Sequence, residues 1–246
     1  AAAALAGETA GFLLILSLCL RALLGRGEGE RKPIFKELLA LALPLTGMRL
    51  VSALMQTVNA SLIPARLRLF GFSAEQAMAS LGIFHGMLKP VLMLPSFIVC
   101  SLSMAASPEL TRMQAEGKPL ACLSRRMLAA TLLVGCGAMA GVFIFAPLIA
   151  NVFYKQAALL PLLRAACPLV PVMAMNHVCG GMMNALGLQK TSLKISLASS
   201  LTAVTAVYCL IPKIALWGAV VSLAAAQGLT LFFSLRALRR SGCTAR

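Results

Sequence analysis

Runs of about twenty apolar residues, without strict polar alternation, recur along nearly the whole chain. A helix of roughly 20 mostly apolar residues is what a bilayer core requires. In lipid, only helices and closed barrels satisfy every backbone group. A barrel strand would alternate apolar and polar residues, and these runs do not. The sequence therefore predicts an all-α polytopic transmembrane bundle of about seven spans: 7–24, 38–67, 76–107, 127–149, 162–186, 193–211 and 215–235. The chain is 60% hydrophobic and 12% charged, with a mean hydropathy of +0.90, more apolar surface than a soluble domain of 246 residues needs.

Charge sets the orientation. The net charge is +15, with 22 Lys and Arg against seven Glu and no Asp. In a soluble chain such a balance would point to nucleic acid. Here the basic residues sit in short clusters between spans with few aromatics beside them, so a nucleic-acid partner is not expected. Counted by alternate loops, fifteen Lys and Arg fall on one side and five on the other, with Arg49 and Lys89 inside spans. The positive-inside rule then places the C-terminus in the cytoplasm and the N-terminus outside. The first run lacks a basic stretch ahead of it, so it reads as a helix rather than a signal peptide. The chain opens AAAALAG without Met, and is expected to be a fragment of something longer. Its eight cysteines are scattered through apolar runs without a C-x-x-C pair, and read as small buried residues.

One span carries a polar stripe. In 38–67, LLALALPLTGMRLVSALMQTVNASLIPARL, the helical period puts Ser52, Gln56 and Asn59 within roughly 80° of Arg49. A charge at mid-span costs at least about 2.5 kcal/mol and faces a bundle interior or a wet cavity. The structural alternative is that Arg49 pairs with carbonyls of a neighbouring helix. In the third span His85, Lys89 and Ser96 share a face within about 40°. Lys89 reads either as a snorkelling lysine or as a second cavity cation. His85 also fits a purely structural role. His177, with Asn176 and Asn184, reads as interhelical packing and hydrogen bonding. Two histidines on separate spans without carboxylates do not make a metal site, and no cofactor is expected. Prolines at 90 and 95 in the third span, and at 168 and 171 in the fifth, predict kinks. Gly135, Gly137 and Gly141 read as packing residues of the fourth span. The stretch 108–126 reads as the longest polar loop, part of it a short surface helix.

Four stretches together resemble one family. LALPLTGMRLVSALMQTVNASLIPARL is similar to the first helix of the C-terminal lobe in stage V sporulation protein B-like transporters, of the multidrug/oligosaccharidyl-lipid/polysaccharide exporter superfamily. SPELTRMQAEGK resembles the family's loop after its eighth helix. LIANVFYKQAALLPLLRAACPLVP resembles the helix–loop–helix that follows. MMNALGLQKTSLKISL resembles its Leu-Asn-Gly-Leu-Gly-x-Gln element, with Met183 and Ala185 departing from it. Order and spacing across 38–240 carry the resemblance rather than any single motif.

The resemblance implies two six-helix lobes around a central cavity. This chain would supply a preceding helix (1–24), a cytoplasmic loop (25–37), the six-helix C-terminal lobe (38–240) and a cytoplasmic tail (241–246), with the N-terminal lobe as a missing partner. Such transporters rock one lobe against the other. The resemblance further implies a plasma-membrane flippase for an anionic lipid-linked sugar, such as a polysaccharide or peptidoglycan precursor, serving cell-wall or spore-cortex synthesis. The substrate-binding cavity would hold Arg49, Ser52, Gln56, Asn59, His85 and Lys89. Arg49 would fork onto a substrate phosphate. Relatives often carry an acid where Asn59 stands, so cation coupling does not carry over.

Two other functions fit the composition. A multidrug exporter of the same superfamily would favour carboxylates and aromatics in its cavity, and this chain has one Trp and two Tyr. A non-transporting membrane scaffold would tolerate substitution of the stripe. An enzyme is disfavoured, because the spans offer neither paired carboxylates nor a metal site for catalysis.

Overall fold

The computed structural model describes residues 53–241, the side chain of Leu102 aside. Arg49, Ser52, Pro44 and the first span lie outside the described residues. Every regular element among the described residues is a helix. The first, α1, covers 53–69. Its hydroxyls turn back onto the helix, Thr57 to the Ala53 carbonyl at 3.0 Å and Ser61 to that of Thr57 at 2.9 Å. A polar group on an apolar helix avoids an unpaired state this way.

The helix runs two residues past the expected end of the second span, through 69. Pro64 lies within the helix, and Arg66 sits over the Tyr208 ring at 3.3 Å to its centroid, a cation–π contact that ties α1 to a later helix. Gly71 at φ 107° ends α1. Ser73 then opens α2 (Ala74–Leu81) with a capping box: its hydroxyl accepts from the Gln76 N–H at 3.2 Å, and Gln76 Oε1 accepts from the Ser73 N–H at 3.1 Å.

α2 runs without a break into a π-helical segment, Gly82–Leu88, and then into α3, Lys89–Ala115. Pro90 explains the π turn. It has no N–H, and its ring would meet the carbonyl four residues back in an α-helix. The wider segment before it absorbs the misfit, and the Lys89 N–H pairs with the Phe84 carbonyl. The kink expected at Pro90 is thus a widened turn in a continuous run.

The long loop expected at 108–126 is a second correction. α3 continues through Pro108 to Ala115, α4 begins at Ala121, and the turn between them is only five residues. Fully buried Leu110 anchors the last turns of α3. Arg112 pairs with Glu116 at 2.9 Å and reaches Glu109 at 4.0 Å, contacts at helical spacing that add a few tenths of a kcal/mol, about 0.2–0.5 per pair, to the packing of Leu110.

α4 (Ala121–Leu148) ends in a second π segment, Ile149–Phe153. α5 (Leu159–Ala166) and α6 (Leu169–Ala185) are bent by 54° at the Cys167–Pro168 break, which matches the kink expected in the fifth span. α7 (Gln189–Ile214) and α8 (Leu216–Arg240) form an antiparallel hairpin through Ala215. α6 is central and packs against α3, α4 and α8, while α7 lies along α8.

Among the described residues, four helices, Ala74–Ser101, Ala121–Phe153, Gln189–Ile214 and Leu216–Arg240, are long and apolar enough to cross a membrane, and five spans result if the bent pair counts as one. Large apolar side chains face outward on them, including Phe97, Ile98, Leu133, Ile144 and Phe232. Water does not tolerate so extensive a patch, whereas lipid does.

The buried apolar residues form two clusters. One gathers Leu67, Leu88, Leu92, Leu163 and Ile211. The other gathers Val99, Leu110, Met127, Met182 and Leu238. Between them along the helices lies a stratum of hydroxyls and amides. Asn176 Nδ2 donates to the Gln227 carbonyl at 3.0 Å and to its side-chain Oε1 at 2.6 Å. The Ser199 hydroxyl donates to the Ala226 carbonyl at 2.8 Å, with Thr230 Oγ1 2.6 Å from Ser199 Oγ.

Candidate functional site

The stripe of α1 and the polar face of the π turn meet. Gln56 and Asn59 from α1, with His85 and Lys89 from the π segment and the start of α3, line one small cavity of about 80 Å³. Phe84 and Ile63 form part of its apolar wall, and α7 contributes Ala203 and Val207. α8 contributes Ser222, Leu223 and Ala226. Four residues from two separate stretches of sequence thus converge. Of the other two expected with them, Arg49 and Ser52, both lie outside the described residues.

Each side chain has an identifiable support. Asn59 projects from α1 one turn before buried Ile63, which packs in the first apolar cluster. The π segment carries His85 and Lys89, four residues apart, on one face, and Lys89 is its C-cap. The Phe84 ring meets the His85 ring edge-to-face at 5.2 Å and fixes the imidazole plane. π turns of this kind often mark functional positions.

The polar atoms at this cavity are not used up by the fold. Asn59 Oδ1 and His85 Nε2 are buried and have no hydrogen-bond partner among the described residues. Buried polar atoms are paired in the great majority of cases, so two orphans at one cavity need a cause. Lys89 has no carboxylate within 4.0 Å among the described residues, and is the charged residue of the lining. The site can therefore accept a hydrogen bond at Asn59 and offer a positive charge at Lys89. A volume of this size takes a water or two, or one phosphate-sized group.

Ser96, expected on the face of His85 and Lys89, is buried but does not line the cavity; its Oγ is also without a partner among the described residues. Ser222 was not legible as a lining residue. Its hydroxyl bonds back to the Ala219 carbonyl at 2.8 Å, and the available signal was one hydroxyl in the otherwise apolar GAVVSLAAA. The expected group of Asn176, His177 and Asn184 divides. Asn176 bridges α6 to α8, as interhelical bonding requires, while His177 and Asn184 are exposed. Of the three glycines of α4, Gly135 is at a close approach: a Cβ there would stand 2.9 Å from Pro171 Cα. At Gly137 and Gly141 a Cβ would meet nothing within 4 Å among the described residues.

No protein-family model, curated protein or solved structure matches this chain.

Proposed function

We propose that this chain is the C-terminal lobe of a plasma-membrane flippase that moves an anionic lipid-linked sugar, a precursor of polysaccharide or cell wall, with its C-terminus in the cytoplasm. The observation that carries the reading is the convergence of Gln56, Asn59, His85 and Lys89 on one cavity among apolar helices. The charge there is positive, which suits a phosphate and opposes an organic cation. In an apolar lining the Coulomb attraction is far stronger than in water. The helical period of the sequence puts Arg49 on one stripe with Gln56 and Asn59, and its guanidinium would add a forked contact. The sequence resemblance supplies the substrate class and the seven-span, two-lobe frame.

The test uses a parent transporter carrying both lobes. Lys89→Ala should lower flipping of a fluorescent lipid-linked sugar phosphate by roughly tenfold or more, the scale of one charged hydrogen bond, with membrane insertion unchanged. Lys89→Arg should retain more activity than Lys89→Ala. Wild-type flipping by Lys89→Ala would sink the cavity-cation reading. Export of an organic cation by the parent, unaffected by Lys89→Ala, would favour the multidrug reading instead.

A further inference from the structure

A second pocket lies where α7 begins and α8 finishes. It has a volume of about 460 Å³. Its apolar lining is Leu188, Ile195, Phe233 and Ala237. Thr191 and Ser241 also line it, with Arg236 and Arg240 one turn apart on the same face of α8. Neither guanidinium has a carboxylate within 4.0 Å among the described residues. The sequence explains why: Glu116 is the last acid in the chain, and 130 residues follow it without another. Glu109 and Glu116 are themselves engaged by Arg112 and Lys118.

The depth of the pocket follows from helix length. At 1.5 Å per residue, α7 and α8 are each roughly 38 Å long, against a hydrocarbon core of about 30 Å. Their ends therefore stand in the headgroup layer. A pair of arginines with no carboxylate within 4.0 Å among the described residues, set beside an apolar wall at that depth, faces phosphates on one side and acyl chains on the other.

We propose that this pocket holds one anionic glycerophospholipid, its phosphate held between Arg236 and Arg240 and the upper part of an acyl chain against Ile195 and Phe233. A soluble phosphate would leave the four apolar side chains unused, so the occupant is a membrane lipid. The assignment does not depend on transport and stands or falls separately from the flippase reading.

The test is native mass spectrometry of the full chain in a neutral detergent, titrated with phosphatidylglycerol or phosphatidylcholine. The wild type should retain one phosphatidylglycerol with an apparent affinity roughly ten- to thirtyfold above that for phosphatidylcholine, the scale of two basic residues at a lipid surface. The double variant Arg236→Gln/Arg240→Gln should lose that preference. Arg239→Gln, which removes a neighbouring charge outside the pocket, should keep it. Phe233→Ala should weaken binding of both lipids, and inorganic phosphate should not displace the lipid. Equal retention of the two lipids by the wild type, an unchanged preference in the double variant, or displacement by inorganic phosphate would each overturn the assignment.

Discussion

Glu116 ties the turn between α3 and α4. Lys118 reaches one of its oxygens at 2.6 Å and Arg112 the other at 2.9 Å. The hydrogen bond from Lys118, then that from Arg112, holds its carboxyl below the usual Glu range, against a smaller opposing effect of burial. A depressed value means that the folded state favours the carboxylate, so the tie is present above the ordinary Glu value of about 4.3 and is lost as pH falls through the lowered one. Carbon NMR of the Glu116 carboxyl should give a midpoint under that ordinary value; a midpoint at or above it would contradict the pairing. Small residues give a second expectation. Gly135→Ala should destabilise by about 1–3 kcal/mol, because a Cβ would press on Pro171. Gly137→Ala, with open space, should be neutral or should stabilise by up to about 1 kcal/mol through helix propensity. Thermal melting in detergent separates the two, and equal shifts would count against the close approach. The sequence showed three glycines in one span. Which of them touches a neighbour depends on the rotation of α4 against α6, and no local signal encodes that.

Among the elements, the α7–α8 hairpin turns on one residue. Ala215 has φ 49° and ψ −133°, a backbone region that L side chains rarely adopt. Three residues on, a Cβ at Gly218 would stand 2.8 Å from Ile211 N, so the two helices meet closely just beyond the turn. Ala215→Gly should raise stability by about 1 kcal/mol, since only glycine takes this conformation without strain. A lower melting temperature for this variant would show that the turn is not strained. Prolines were the clearest signals of irregularity, and their outcomes differ. The break at Pro168 is a 54° bend, Pro90 follows a π turn, and Pro108 interrupts nothing. A proline removes one donor; the neighbours decide how the chain absorbs the loss. Next to Pro108 they are buried Leu110 and the ion pairs of Arg112.

At the scale of the molecule, the helical class and the approximate positions of the later spans were legible because hydropathy acts over about twenty residues at a time. The expectation for the polar stripe rested on period alone, which pairs Gln56 with Asn59 and His85 with Lys89, and these four line one cavity. That the two faces meet is a tertiary fact, dictated by the packing of Ile63 and Phe84 in one cluster, and the contribution of Ser222 from a distant helix had no sequence signal strong enough to predict it. The stratum of amides and hydroxyls between the two apolar clusters has a mechanical meaning. Interlocked aliphatic side chains resist sliding, whereas hydroxyls exchange partners at little cost. The layer holding Asn176, Ser199, Gln227 and Thr230 is therefore expected to yield before the two apolar clusters do, as a compliant joint between them. Spin-label pairs placed across each end should give distance distributions that broaden independently of one another; strictly correlated changes would mean that the bundle moves as a single rigid rod.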